Sequence, residues 1–361
     1  MCYYKSEVQK LNELLDHYAA SFASLTGDLE PIQEKLEELI RRDDVLKSIG
    51  MKNSHELGLQ ILKYSEKDAM PSTLTKPELT QLRWYLRFLS AWKHEGLYER
   101  YFENGFDYFP THIVTAGEPN KLKMFNWGLI PFFQKDRDKA MQSRLTTLNC
   151  ISEEMWEKPS FRDVIKNGQR CLIPVTGFFE WRWLDDAGTV KIPYYVTFRD
   201  QKLRSMAGLY SRWKDPGTGE YYYSYTLLTC PANSIMQYVH NAKQRMPVFI
   251  DQENYNDWLN PELKKDDVMD LCKPYDDPNM RAYTISKLLT TRGINPNVPE
   301  VLKPFNYNAA IQEANEFLKR GEKKKAMEVF RNTISGDKMK EEHLQLAAGQ
   351  EIREELVMGR S

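Results

Sequence analysis

Cys2 directly follows the initiator methionine, and that position gives it chemistry no internal cysteine has. A side chain this small permits removal of Met1 by a methionine aminopeptidase, leaving cysteine as the first residue. Its α-amine, with an ordinary pKa near ~7.7–8.0, would then lie two carbons from a thiol of about 8.5. Such an amine condenses with an aldehyde to an imine, and the thiol can close a five-membered thiazolidine. By position alone, a cysteine here is more often an ordinary residue. Glu180 lies in the apolar run Gly177-Phe178-Phe179-Glu180-Trp181. Burial would raise its pKa and suit it to proton transfer, while strand alternation gives a solvent-facing glutamate equal weight. His240 ends an apolar stretch and precedes Asn241, Lys243, Arg245, Met246 and Pro247. It reads as an acid, a base or a phosphate contact, or as a solvated loop histidine. Asn149 is either a hydrogen-bonding anchor or a cap before Ser152 and Glu153, and Cys150 beside it is a packing residue.

Cations and aromatics are interleaved through the same region. Arg144, Arg162, Arg170, Arg182, Arg212, Lys243 and Arg245 alternate with Trp127, Phe132, Trp156, Trp181 and Trp213. A groove for single-stranded nucleic acid uses this mixture, and so does any surface of arginines over a core of aromatics. The sequence contains no P-loop, no paired-glycine dinucleotide fingerprint and no metal-spaced histidine pair, so neither cofactor nor metal is expected.

The elements that must position these residues fall into three blocks. Residues 5–100 read as helical: Ser6 caps a first helix with Val8, Leu11, Leu15, Tyr18 and Phe22 in register, and Gly27-Asp28 breaks it. Pro31 opens a second, with Ile32, Leu36, Leu39 and Ile40, and Thr75 and Pro77 a third, with Leu79, Leu82, Leu86 and Leu89. After Tyr108 the texture is β. Strands are expected at His112–Thr115, Lys121–Trp127, Arg170–Val175, Phe178–Trp183, Pro193–Phe198 and Tyr221–Cys230, separated by clusters such as Asp215-Pro216-Gly217. Short helices are expected near Ser152–Glu157, Pro231–Val239 and Gln252–Leu259, and from Ala309 onward the pattern is again helical and highly charged.

The chain has 361 residues, with 50 Lys and Arg against 51 Asp and Glu, for a net charge of −1. That balance argues against a polybasic nucleic-acid binder and leaves room for one local basic cleft. The uncharged apolar run Trp127 to Phe133 is too short for a membrane span, and no secretory signal follows the N-terminus. Five cysteines, an odd number without CxxC spacing, fit a reducing cytoplasm and neither a disulfide framework nor a zinc site.

Taken in chain order, these pieces resemble the SOS-response-associated peptidase (SRAP) family, whose members capture abasic sites in DNA. Cys2 follows Met1; Trp127-Gly128-Leu129-Ile130-Pro131 resembles the WGL[IV]P segment; Asn149-Cys150-Ile151-Ser152-Glu153 resembles N-[AC]-R-[SV]-[ED]. Glu157-Lys158-Pro159-Ser160-Phe161-Arg162 follows. Arg170-Cys171 runs into Gly177-Phe178-Phe179-Glu180-Trp181, similar to the RC…GF[YF]EW core, and His240 with Arg245-Met246-Pro247 resembles IHxRMP. The likeness covers Met1–Cys2 and about Phe109 to Tyr307. Tyr3 and Tyr4 stand where the family commonly has Gly-Arg, Ile151 replaces an arginine, and three extra residues precede Arg245.

The resemblance implies an α+β fold with a mainly antiparallel, barrel-like β core. It implies a domain over 1–308, with a helical insertion at about 5–100 and a charged helical extension over 309–361. It also implies an abasic-site sensor in single-stranded DNA, linked covalently through Cys2 after loss of Met1, with peptidase or lyase-like character. The reactive set carried over is Cys2, Asn149, Glu180 and His240; the DNA contacts are Trp127, Pro131, Arg144, Arg162, Arg245 and Met246. The expected state is a cytoplasmic monomer, nucleoid-associated when crosslinked, with no membrane partner. Two other classes stay open: a cysteine peptidase acting on proteins, and a non-covalent nucleic-acid module.

Overall fold

The computed structural model describes residues 2–9, 11–18, 21–22, 98–108 and, apart from 185, 189–190, 220, 277 and 291–295, residues 110–307, with scattered positions up to 325. The expected helices opened by Pro31 and by Thr75 and Pro77, and most of the charged tail, lie outside the described residues. In chain order the elements are β1 (Tyr4–Gln9), α1 (Leu11–His17), β2 (Ser21–Phe22), β3 (Tyr98–Asn104), β4 (Pro110–Thr115) and β5 (Glu118–Trp127). Next come α2 (Arg137–Ser143), β6 (Asn149–Ile151), α3 (Pro159–Lys166), β7 (Arg170–Val175), β8 (Gly177–Trp183) and β9 (Lys191–Phe198). The series ends with β10 (Arg204–Lys214), β11 (Tyr221–Pro231), α4 (Ser234–Val239), β12 (Arg245–Pro247), β13 (Phe249–Ile250), α5 (Tyr255–Leu259), α6 (Lys265–Leu271) and β14 (Met280–Thr284).

Five strands close on themselves. The path β11-β10-β7-β4-β5 is antiparallel at each step, and β5 returns to β11 in parallel through Asn126↔Ser224 and Trp127↔Tyr225. Closure removes the free edges of these strands, and their inward side chains fill the lumen. Both faces of the wall are covered: Ile113, Ile173, Tyr225 and Leu227 on one and Leu122, Leu172 and Leu209 on the other are all buried in one cluster. A second sheet of order β14-β9-β8-β1-β3 carries Glu180 on β8 and, in β1, the strand that follows Cys2. The architecture is the expected α+β fold with a mainly antiparallel, barrel-like core.

One expectation fails here. Tyr4–Gln9 is a strand, not the start of a helix capped by Ser6, and the helix runs only over Leu11–His17. The three-to-four spacing from Val8 to Leu15 is real only in its second half. Tertiary pairing wins in the first half, because β1 sits between β3 and β8 and satisfies its backbone on both sides. Tyr98–Asn104, whose first three residues fall in the block expected to be helical, is likewise a strand. Gly177 at the start of β8 is required by the close approach of Tyr195, whose hydroxyl bonds Ser6 Oγ at 2.9 Å, so any Cβ there would collide with that ring.

Candidate active site at the amino terminus

The β1–β8 ladder brings the amino terminus to Glu180. Lys5 pairs with Phe178 and Ser6 with Gly177, so the chain ahead of Lys5 runs antiparallel along β8 toward Glu180 and Trp181. Cys2 is 1% exposed and belongs to the main core cluster. Its thiol donates weakly to the Tyr4 carbonyl at 3.4 Å. Burial pushes that thiol far above its ordinary range and the charge of Glu180 adds to the rise; the Tyr4 contact, the amino terminus and Lys5 pull the other way. Glu180 is itself buried, which decides against the solvent-facing alternative left open by alternation.

His240 is also buried, at the C-terminal end of α4, where its backbone N–H donates to the Met236 carbonyl at 2.7 Å. Its Nδ1 lies 2.8 Å from the Arg245 carbonyl oxygen. A carbonyl can only accept, so Nδ1 carries the hydrogen and the neutral ring offers a lone pair at Nε2. That nitrogen faces Glu180 Oε2 at 3.8 Å, with both side chains 7% exposed. The distance is too long for a direct hydrogen bond. A substrate oxygen or nitrogen set against both groups can exchange a proton with either. Burial lowers the pKa of His240, and Glu180 opposes that shift without overcoming it.

Neighbouring residues lace the histidine loop to β8. Asn241 acts as an extra strand partner for Trp183: its Oδ1 accepts from the Trp183 N–H at 2.9 Å and its Nδ2 donates to the Trp183 carbonyl at 2.8 Å. Arg182 donates to the Tyr238 carbonyl and stacks 3.9 Å above that ring. On the other flank Arg245 forks onto both carboxylate oxygens of Glu153 at 2.6 and 2.7 Å and reaches the Thr229 carbonyl at 2.5 Å. This bidentate bond, ahead of all other influences, holds the Glu153 carboxyl down to about 2.

Asn149 opens β6, which pairs in parallel with Leu227–Thr229 of β11. It is buried, and among the described residues neither Oδ1 nor Nδ2 has a hydrogen-bond partner. A buried amide left unsatisfied costs about 1–3 kcal/mol. The structure thus joins Cys2, Glu180 and His240 in one neighbourhood, while Asn149 lies on β6, the strand followed by the Glu153 that braces the histidine loop through Arg245.

Among the residues expected to contact DNA, several are buried or have partners within the protein. Trp127 is 1% exposed, donates Nε1 to the Leu148 carbonyl at 2.8 Å and stacks on Tyr225. Met246 and Pro131 are buried, and Arg245 is committed to Glu153. Arg170, which the interleaved pattern also singled out, donates to the carbonyls of Trp258 and Asn260. Arg162 is exposed beside Asp163. Arg144 differs from all of these. It is buried with no carboxylate partner among the described residues, stacks 3.9 Å over Tyr108, makes only 3.4 Å contacts to the Tyr108 and Trp127 carbonyls, and leaves Nε unpartnered. Desolvation lowers its pKa to about 10.

Of the exposed aromatics, Phe132 stands in the interleaved set read from the sequence, whereas Phe106 and Phe133 do not. Phe106 stacks against Tyr3, the residue after Cys2, at 5.0 Å, and Phe132 and Phe133 stand exposed just beyond Pro131. Adjacent phenylalanines following an otherwise buried apolar segment were the available signal. The buried charges Lys5 and Glu7, on a segment expected to be helical, and Glu103 just beyond it carry no signal in the sequence pattern. All described cysteines are free and buried, and no cluster of possible metal ligands occurs among the described residues.

Comparison with known proteins bears on the family and the fold. Residues 75–291 match the family described as SOS response associated peptidase (SRAP). A relative named abasic site processing protein YoqW, from Bacillus subtilis, is 35% identical over 192 residues, covering 53% of this chain and 80% of the relative. The abasic site processing protein HMCES of Gallus gallus is 30% identical over 205 residues, covering 51% of this chain and 57% of that protein. A crystal structure of a Bacteroides thetaiotaomicron protein superposes with a TM-score of 0.58 at 30% identity, covering 84% of this chain and 99% of the other.

Proposed function

The chain belongs to the SOS response associated peptidase family, and on that premise we propose that it captures abasic sites in single-stranded DNA as a covalent thiazolidine on Cys2. The observation that carries this reading is the junction of a buried N-terminal cysteine with a carboxylate and an imidazole set 3.8 Å apart. The relatives named as abasic site processing proteins support the substrate class.

The steps balance without a cofactor. Removal of Met1 frees the α-amine of Cys2. The abasic deoxyribose is mostly a closed hemiacetal, and His240 assists its opening to the aldehyde by moving a proton at the ring oxygen. The amine attacks C1′, the carbinolamine loses one water, and an imine results. The thiol adds to the imine carbon while its proton passes to nitrogen, closing the thiazolidine. Glu180 takes the proton from the attacking amine and returns it to the departing oxygen. Asn149, with both amide atoms unspent, orients the terminal amine or the sugar hydroxyl.

Binding draws on a separate set. Phe106, Phe132 and Phe133 offer exposed faces for stacked bases, a contribution of about 1–3 kcal/mol per base. Arg144 supplies an unpaired cation for one phosphate, and Arg162 a second at the surface. Covalent capture needs one such cleft rather than a basic surface, in keeping with the net charge of −1.

A cysteine peptidase acting on other proteins is the competing reading. That chemistry needs a thiolate, and thiolates form where cations lower the thiol pKa. Here burial and Glu180 push Cys2 the opposite way, which favours amine-first attack. Incubation with an oligonucleotide bearing one abasic site is expected to give an SDS- and heat-stable shift, lost on Cys2→Ala and lost when Met1 is retained. Cleavage of unrelated peptides without such a shift would replace this reading with the peptidase.

A further inference from the structure

Lys5, Glu7, Glu103 and His112 form a charged cluster sealed inside the protein, none more than 4% exposed. Lys5 Nζ lies 2.8 Å from Glu103 Oε2 and 3.8 Å from Glu7 Oε2. Glu7 Oε1 meets His112 Nδ1 at 2.8 Å. The β1–β3 ladder sets Lys5 opposite Glu103 and Glu7 opposite Arg100, so cross-strand partners carry opposite charges. Burying such a group costs several kcal/mol per ion, and apolar side chains of similar volume would often serve stability as well. A role beyond stability is therefore worth seeking.

Two observations tie the cluster to Cys2. Lys5 and Glu7 belong to the strand that begins two residues after Cys2, held between β3 and the Glu180-bearing β8. A slip of one residue would turn Lys5 and Glu7 to the opposite face, taking Lys5 from Glu103 and Glu7 from His112, so the cluster favours a single register. The same slip would move Cys2 about 3.3 Å along β8 and change its placement relative to Glu180. The second observation is electrostatic: the Lys5 charge acts on the Cys2 thiol and favours its ionised form, against burial and Glu180.

We propose that this cluster is the positioning device of the capture reaction, with Lys5 as its working member, fixing the register of the strand that carries Cys2 and setting one buried cation near the reacting amine and thiol. The proposal rests on the capture reading above and names how that site is tuned. A cation in this place disfavours protonation of the Cys2 amine, so more of the amine is free base near neutral pH. It also steadies negative charge on sulfur as the ring closes. The other groups bearing on Cys2 are Glu180 from β8, the neighbouring Tyr3 and the amino terminus; of these Glu180 opposes Lys5.

The test is the single-turnover crosslinking rate as a function of pH, with affinity measured separately on an oligonucleotide carrying an unreactive abasic analogue. Lys5→Met is expected to raise the midpoint of the rising limb by about one pH unit, the effect of one partly screened charge at an effective dielectric of about 20. Capture near pH 7 then slows about tenfold with affinity unchanged, and Lys5→Arg restores both midpoint and rate. Glu103→Gln uncovers the Lys5 charge and moves the midpoint down; this variant decides the matter if Lys5→Met does not fold. A folded Lys5→Met protein with the wild-type midpoint would overturn the proposal, whatever its rate. So would a Glu103→Gln midpoint that rises or stays. Absence of any crosslink with the wild-type protein is a different result, and it would remove the capture reading itself.

Discussion

Replacing Glu180 by Gln keeps the shape of the site and removes one charge, and the consequence for His240 can be worked out from the geometry. The carboxylate and the imidazole nitrogen are 3.8 Å apart with both side chains nearly buried. At an effective dielectric of about 20, a full charge pair at that distance attracts by about 4 kcal/mol, an upper bound of roughly three pH units on the histidine. Side-chain mobility and entering water reduce this, and about one to two units is the expected fall. His240 already lies below its ordinary 6.5, because burial outweighs Glu180. Its neutral form is therefore the one the fold favours; the associated stability is present above pH 6.5 and is lost as pH falls through the folded-state value. In Glu180→Gln that gap widens, so the variant loses more stability on acidification than the wild type does. An NMR titration of the imidazole resonances reads the midpoint directly, with His240→Gln identifying the right signal among six histidines. Capture should slow by about 10²–10⁴, the usual worth of one acid–base group. A His240 midpoint that stays within a few tenths of a unit of wild type would refute the coupling.

Other consequences concern the framework and the binding surface. Arg144→Met should weaken binding to undamaged single strands and reduce the slope of log affinity against log salt by about 0.7, the share of one phosphate contact, while Arg144→Lys keeps the slope; an unchanged slope would make the residue structural. Trp127→Ala should cost about 3–5 kcal/mol in denaturant unfolding, with little effect on the DNA affinity of the remaining folded protein, because the ring is core. Glu153→Gln should loosen the histidine loop. In the wild type the Glu153 contribution is present above its ordinary 4.5 and is lost as pH falls toward 2, so acid unfolding curves of the two proteins should converge in strong acid.

How much could be read from the chain depended on which constraint was local. Arg170–Val175 and the run through Trp183 announced themselves as strands by β-branched and aromatic content, and both are strands. Tyr4–Gln9 did not, since Lys5 and Glu7 read as polar positions of a helix; only their partners Glu103 and His112, about a hundred residues away, make an inward charge acceptable in a strand. Glu180 and His240 were legible as candidates, but their burial and separation belong to the pairing of β8 with β1 and to the Asn241–Trp183 clasp. Trp127 and Arg245 show what the motifs left out: the one donates to the Leu148 carbonyl and the other forks onto Glu153, and composition cannot distinguish an arginine spent on a carboxylate from Arg144, which has no carboxylate partner among the described residues.

Covalent capture through the terminal amine and thiol of Cys2 is tested most directly by intact-mass analysis of the protein after incubation with an abasic oligonucleotide, followed by sequencing of the modified N-terminal peptide. The expected product lacks Met1, carries the whole DNA strand less one water, and bears it on Cys2. Retention of Met1 with no adduct, or an adduct that persists in Cys2→Ala, would contradict thiazolidine formation.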